Sequence, residues 1–161
     1  MKKLYLLLFC LLPLSMQAQD YRTAFGVRLG FSKGLTIKHV VQDHQAIEGI
    51  LSTRWKGYHL IGLYEWHKDM INDLRSGNLC WFYGIGAHVG YYPTVQYYYN
   101  PNGVYYTTSV TPVGIDGIIG LEYMFTRFPL VVSLDAKPYF EFIYPGPDFI
   151  DVALSARFYI E

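Results

Sequence analysis

The chain has 161 residues, enough for a single domain, and its thirteen Lys and Arg against thirteen Asp and Glu leave a formal net charge of +0. That balance excludes an electrostatic nucleic-acid binder, which needs a basic face, and after the N-terminus no apolar run reaches the about 20 residues of a spanning helix. Any crossing of a membrane must therefore use strands, for which sixteen tyrosines and three tryptophans are suitable interface residues.

Lys2 and Lys3 precede the apolar run LYLLLFCLLPL, followed by SMQAQ, the three-part layout of a secretory signal peptide. Residues 1–18 are read as that signal peptide, cleaved after Ala18, and residues 19–161 as the exported domain. A lipid anchor on Cys10 is disfavoured because Phe9 stands where a small residue belongs. Removing the leader leaves Cys80 alone, so an intramolecular disulfide is excluded. Cys80 abuts Trp81 without the flanking motif of a nucleophile and is read as a lipid-facing or loop thiol.

The first strand is TAFGVRLGF, with Phe25, Val27, Leu29 and Phe31 on one face and Ala24, Gly26, Arg28 and Gly30 on the other. Ser32 to Gly34 reads as a turn, after which LTIKHVV sets Leu35, Ile37 and Val41 opposite Thr36 and Lys38; only His39 disturbs the apolar parity. Past QDHQ, AIEGILSTRW places Ile47, Leu51 and Trp55 outward and Glu48, Ser52 and Arg54 inward. A two-residue turn at Lys56 and Gly57 then sets Trp55 against Tyr58 and Arg54 against His59, matching like faces. YHLIGLYEWH turns Tyr58, Leu60, Tyr64 and Trp66 out and His59, Glu65 and His67 in.

Lys68 to Cys80 reads as a polar connection with a short helical turn. WFYGIGAHVGY resumes the alternation, with Trp81, Tyr83, Ile85, Ala87, Val89 and Tyr91 opposite Phe82 and His88. The segment Tyr92 to Pro112 is the longest loop, marked by Asn-Pro and Asn-Gly turn signals and able to hold a small exposed hairpin. VGIDGIIGLEYMF has the cleanest alternation, with Val113, Ile115, Ile119, Leu121, Tyr123 and Phe125 opposite Asp116 and Glu122. A break at Thr126 to Pro129 leads into LVVSLDAKPY, where Leu130, Val132, Leu134 and Ala136 oppose Ser133, Asp135, Lys137 and Tyr139. After Pro145 to Pro147 comes FIDVALSARFYI, with Asp151, Ser155 and Arg157 on the polar face.

The eight strands share one rule: Arg28, Lys38, Glu48, Arg54, Glu65, Asp116, Glu122, Asp135, Lys137, Glu141, Asp151 and Arg157 all fall on the inward face, and no strand charge falls outward. A soluble barrel of lipocalin type would show the reverse, a greasy cavity within a charged exterior. A charge on a lipid face costs about 2–4 kcal/mol at the bilayer midplane, and an open sheet edge would leave unpaired backbone groups in hydrocarbon. The expected fold is all-β: an eight-stranded antiparallel transmembrane β-barrel with a filled, charged lumen. Five inward cations and seven carboxylates, with His67 and His88 beside them, can balance one another as a structural plug. The inward glycines are read as room for long neighbours. Trp55, Tyr58 and Tyr91 gather at one rim, with Trp66, Trp81, Tyr123, Phe125 and Phe158 at the other.

With these strands in place, the chain resembles the small eight-stranded outer-membrane barrels, the architecture of OmpA, OmpX and OmpW. It looks closer still to small barrels of the Bacteroidetes type, through GFSKGLTIKH, EGILSTRW, GLYEWH, YGIGAHVG, GIDGIIGLEY and SLDAKPYF. The resemblance implies location in the cell outer membrane and carries no catalytic residues. The expectation is a monomeric, non-enzymatic barrel, without cofactor or metal, in contact with outer-membrane lipid. It would act in adhesion, envelope integrity or recognition of an external ligand or surface through the Tyr92 to Pro112 loop. The alternatives are a narrow pore and a lipid A-modifying enzyme. The enzyme would have to build a triad around His39, the one strand histidine at outward parity, with loop residues such as Asp43 or His44.

Overall fold

The structure is a computed structural model that describes residues 23–54, 57–74, 77–99, 104–143 and 149–160. The expected signal peptide, the Asn-Pro and Asn-Gly signals at 100–103, Trp55 and Lys56, and the Pro145 to Pro147 break lie outside the described residues. Among the described residues the chain forms nine strands: β1 (Thr23–Gly30), β2 (Lys33–Gln42), β3 (Gln45–Arg54), β4 (Gly57–Leu74), β5 (Gly77–Tyr99), β6 (Val104–Val110), β7 (Val113–Phe125), β8 (Leu130–Glu141) and β9 (Ile150–Ile160). No described helix is long and apolar enough to cross a membrane.

Eight of the strands close into an antiparallel barrel. Chain neighbours pair from β1 to β5, β5 continues to β7, β7 to β8 and β8 to β9, and β9 returns to β1 with Thr23 opposite Ile160. That pair marks the terminal end, which also carries the β2–β3, β4–β5 and β7–β8 connections. The opposite, loop end carries the β5–β6 hairpin, in which Tyr99 pairs with Val104 and Tyr92 with Val110. The hairpin anticipated inside the Tyr92 to Pro112 segment is thus an extension of β5 with β6 folded against it.

Alternation decides the layering. Outward residues such as Phe25 (50 % exposed), Ile85 (64 %) and Leu134 (53 %) cover the wall, while Arg28 and Arg157 on the other face are fully buried. Rings collect at the terminal end, where Trp66 stacks on Tyr83 with centroids 5.6 Å apart and Trp81 meets Tyr83 at 5.4 Å. At the loop end Tyr58 pairs with Tyr91.

Five local expectations need correction. Lys68 to Cys80 is not a polar connection with a helical turn: β4 runs on to Leu74 and β5 starts at Gly77, so the hairpin continues beyond the start of β3, where Gln45 pairs with Trp66, while β5 stays paired with β7 down to Gly77. Polar residues there occupy both parities because a strand wet on both faces needs no alternation. Lys68, which lies 5.8 Å from the Trp81 ring, and Lys33 at the start of β2 take the outward face, so the expected absence of outward strand charge holds between the rims and not at them. At the β3–β4 turn the register is displaced by two residues from the expected one, with Arg54 opposite Gly57 and Ser52 opposite His59; a slip of two preserves the faces, so the inward set survives it. The first turn is shorter than Ser32 to Gly34, since β2 begins at Lys33 and Gly34 pairs with Arg28. The inward glycines chiefly let strands and rings approach: a Cβ on Gly120 would lie 2.6 Å from the Leu134 carbonyl oxygen and 2.7 Å from Phe82 Cζ.

Candidate functional site: the charged lumen

Moving along any strand two residues at a time visits the lumen in layers. On β4 the order from the loop end is His59, Ile61, Leu63, Glu65, His67; on β5 it is His88, Gly86, Gly84, Phe82, Cys80; on β7 it is Asp116, Ile118, Gly120, Glu122. Ile50, Ile61, Leu63, Phe82 and Ile118 form a buried apolar cluster between the charged ends of this wall. The lumen is therefore not charged throughout, and the inward parity of Ile50, Ile61 and Ile118 is the signal that charge counting passed over.

Towards the terminal end the charges interlock. Arg157 donates through Nη2 to Glu48, through Nε to Thr36 Oγ1 at 3.2 Å and through Nη1 to Ser133 Oγ at 2.8 Å, with Glu122 Oε2 at 3.5 Å. The Thr36 hydroxyl donates to Glu48. Lys38 Nζ lies 2.8 Å from both Glu65 Oε2 and Glu122 Oε2, 3.8 Å from Glu48 Oε2, and 4.3 Å from the centre of the Phe82 ring. His67 stacks on the same Phe82 ring at 5.3 Å and places Nε2 3.3 Å from Glu65 Oε2.

On the facing wall Arg28 grips Asp135 with two parallel bonds of 2.7 and 2.6 Å, the fork geometry that suits guanidinium and carboxylate. Its Nη2 also stands 3.5 Å from Asp151, which accepts from the Ser32 amide at 3.2 Å and from the Ser32 hydroxyl at 2.5 Å. This set holds the first tight turn to β9.

The loop end is looser. Asp116 accepts from Lys137 Nζ at 2.7 Å and lies 2.8 Å from His88 Nδ1, while His88 Nε2 is 3.9 Å from Glu141. Arg54 donates to the Tyr139 hydroxyl, and His59 Nε2 lies 2.8 Å from the Tyr92 hydroxyl. Between them opens a small recess bounded by Ser32, Ser52, Arg54, His59, Ile61, His88, Lys137, Tyr139 and Asp151. Among the described residues, Ser52 Oγ and His88 Nε2 are buried there without a hydrogen-bond partner.

The structure thus places Arg28, Lys38, Glu48, Glu65, His88, Asp116, Asp135, Lys137, Asp151 and Arg157 buried in the lumen, with Arg54, His67, Glu122 and Glu141 half-buried towards its two ends. Cys80 is neither lipid-facing nor in a loop. It lies in β5 opposite Glu122 and brings Sγ to 3.7 Å from His67 Nδ1; its even number gives it the same inward parity as Phe82. His39 is exposed on the outer wall with Nδ1 2.8 Å from Thr23 Oγ1, and His44 pairs instead with Asp69 at 3.4 Å.

No family model matches the chain, and no curated protein does. Among solved structures it is similar to the N-terminal β-barrel domain of Pseudomonas aeruginosa OprF, with a TM-score of 0.61 over 89 % of this chain and 100 % of that one. The two share a fold. Their sequences are 13 % identical, so the common feature is the closed small barrel and not a set of side chains. The lumen just described belongs to this chain.

Proposed function

We propose that this chain is an integral outer-membrane barrel that works without catalysis, through the structures at its loop end, in adhesion, envelope integrity or recognition of an external molecule. The supporting observation is the sorting of charge, in which an exposed apolar wall surrounds fully buried Arg28, Glu48, Glu65 and Arg157. Such a wall is stable against lipid and would aggregate in water. The architecture it shares with small outer-membrane barrels, together with the signal-peptide layout of residues 1–18, supports the location. The nearer likeness to barrels of the Bacteroidetes type belongs to the same reading. The chain acts as a monomer, with outer-membrane lipid around it and the β5–β6 hairpin meeting the partner.

The Arg28–Asp135 and Arg157–Glu48 pairs that cross the lumen support this reading over a pore. Planar-bilayer recording of the refolded chain tests it. The expected trace is flat or flickering; a steady large conductance would refute the filled lumen. Cell fractionation tests location, with recovery in the outer membrane expected and recovery as soluble periplasmic protein contradicting it.

A further inference from the structure

At the terminal end, three adjacent strands each bring one donor atom to a common point. His67 on β4, Cys80 on β5 and Glu122 on β7 offer Nδ1, Sγ and a carboxylate oxygen that all lie within 4.8 Å of one another. Sγ is 3.7 Å from Nδ1, and Nδ1 is 3.8 Å from Glu122 Oε1. With Zn–S near 2.3 Å and Zn–N and Zn–O near 2.0–2.2 Å, the edges of a tetrahedral site run to about 3.4–3.6 Å; the two edges at Nδ1 exceed this by a few tenths of an ångström, and the third, between Sγ and the Glu122 oxygen, lies within 4.8 Å and closes by a rotation of the Cys80 or Glu122 side chain. We propose that His67, Cys80 and Glu122 form a binding site for a zinc-class divalent cation, with three protein ligands and a fourth position open to the terminal-end mouth.

Three further features point to a ligand. His67 presents Nδ1 because its other ring nitrogen is engaged by Glu65 Oε2 at 3.3 Å, the carboxylate–histidine arrangement that fixes the ring beside a metal. The charges also balance. Lys38 and Arg157 face Glu48, Glu65 and Glu122, leaving one negative charge in excess. Binding replaces the thiol proton, Cys–SH + M²⁺ → Cys–S–M⁺ + H⁺, so the ion and the thiolate together bring the cluster to neutrality. The His67 and Glu122 side chains are not sealed off, keeping 13 % and 12 % exposure. The donor set of thiolate, imidazole and carboxylate selects zinc over calcium or magnesium, which want oxygen alone.

The site is independent of the loop-end reading, and its test needs no membrane. The exported chain, residues 19–161, in which Cys80 is the one cysteine, is refolded in detergent micelles under reducing conditions and titrated with Co²⁺ and then with Zn²⁺. The expected result is one Co²⁺ per chain, a thiolate-to-cobalt charge-transfer band that Zn²⁺ abolishes, and one proton released per ion. Cys80→Ser should lose the band, and Glu65→Gln should weaken binding about 10–100-fold while leaving the band in place at saturation. Alkylation of Cys80 in the unaltered chain provides a reading that no folding defect can confuse: Zn²⁺ should protect the thiol from a maleimide. Absence of both the band and the protection, or equal Co²⁺ binding by a heat-modifiable Cys80→Ser barrel, overturns the proposal.

Discussion

The two ends of the lumen solve the same problem differently. Towards the terminal end Arg157 engages Glu48, Thr36, Ser133 and Glu122 at once, and Lys38 is held among three carboxylates. Towards the loop end Arg54 reaches a phenol, and Ser52 Oγ and His88 Nε2 in the recess have no hydrogen-bond partner among the described residues; the terminal end leaves Glu48 Oε2 and Glu65 Oε1 so, but on carboxylates whose other oxygen is engaged by Arg157 or Lys38. Between them, on one wall, lies the apolar cluster around Phe82. The contrast teaches that burial of charge inside a barrel fixes shape only where donors and acceptors interlock. The terminal-end network ties β2, β3, β4, β7, β8 and β9 across the lumen, whereas the loop end is free to differ.

The largest effect should come from breaking the interlocked end. Arg157→Met leaves Glu48 buried beside Thr36 without its guanidinium, and removing one partner of a buried pair costs about 3–5 kcal/mol. Urea unfolding of the refolded barrel, followed by gel mobility, reads this; a loss below 1 kcal/mol would mean that the network does not hold the barrel. Next comes the Arg28–Asp135 fork. Arg28→Met and Asp135→Leu should each be costly alone and much less than additive together, with a coupling of about 1–3 kcal/mol in a double-mutant cycle. Additive losses would show that the two bonds of 2.6 and 2.7 Å contribute little.

The smallest effect separates two serines of similar burial. Ser133 accepts from Arg157 at 2.8 Å, whereas the Ser52 hydroxyl has no hydrogen-bond partner. Ser133→Ala should cost about 1.5–3 kcal/mol, as loss of a bond to a charged group does, and Ser52→Ala should fall within about 0.5 kcal/mol of the parent. Equal losses would erase the distinction between the ends.

Much of this was written in the alternation. A barrel wall tolerates no charge on one face and must solvate or pair charges on the other, so the parity of Arg28, Lys38, Asp135 and Arg157 could be read one strand at a time. The extended β4–β5 hairpin was not legible because outside the apolar band both faces of a strand are wet, and Asp69, Met70 and Ile71 then follow no period. The pairing partners were not legible either. Arg28 meets Asp135 across 107 positions of sequence, a contact set by barrel closure. The meeting of His67, Cys80 and Glu122 has the same origin: their spacing matches no ligand motif, and only the β4–β5–β7 register brings them together. For Cys80 a signal did exist. Its parity is that of Phe82 and His88, and the neighbouring Trp81 drew attention to the wrong face.

The most direct test of the central claim, lipid outside and charge inside, is thiol mapping in a Cys80→Ala background. Leu134→Cys, Leu154→Cys, Ser133→Cys and Ser155→Cys sample adjacent positions on β8 and β9, where Leu134 pairs with Leu154 and Ser133 with Ser155. In reconstituted bilayers the two leucine positions should react with a membrane-partitioning reagent and not with a charged water-soluble maleimide, while the two serine positions stay unreactive until the barrel unfolds. Reaction of the leucine positions with the charged reagent, or of the serine positions from the lipid phase, would contradict the account.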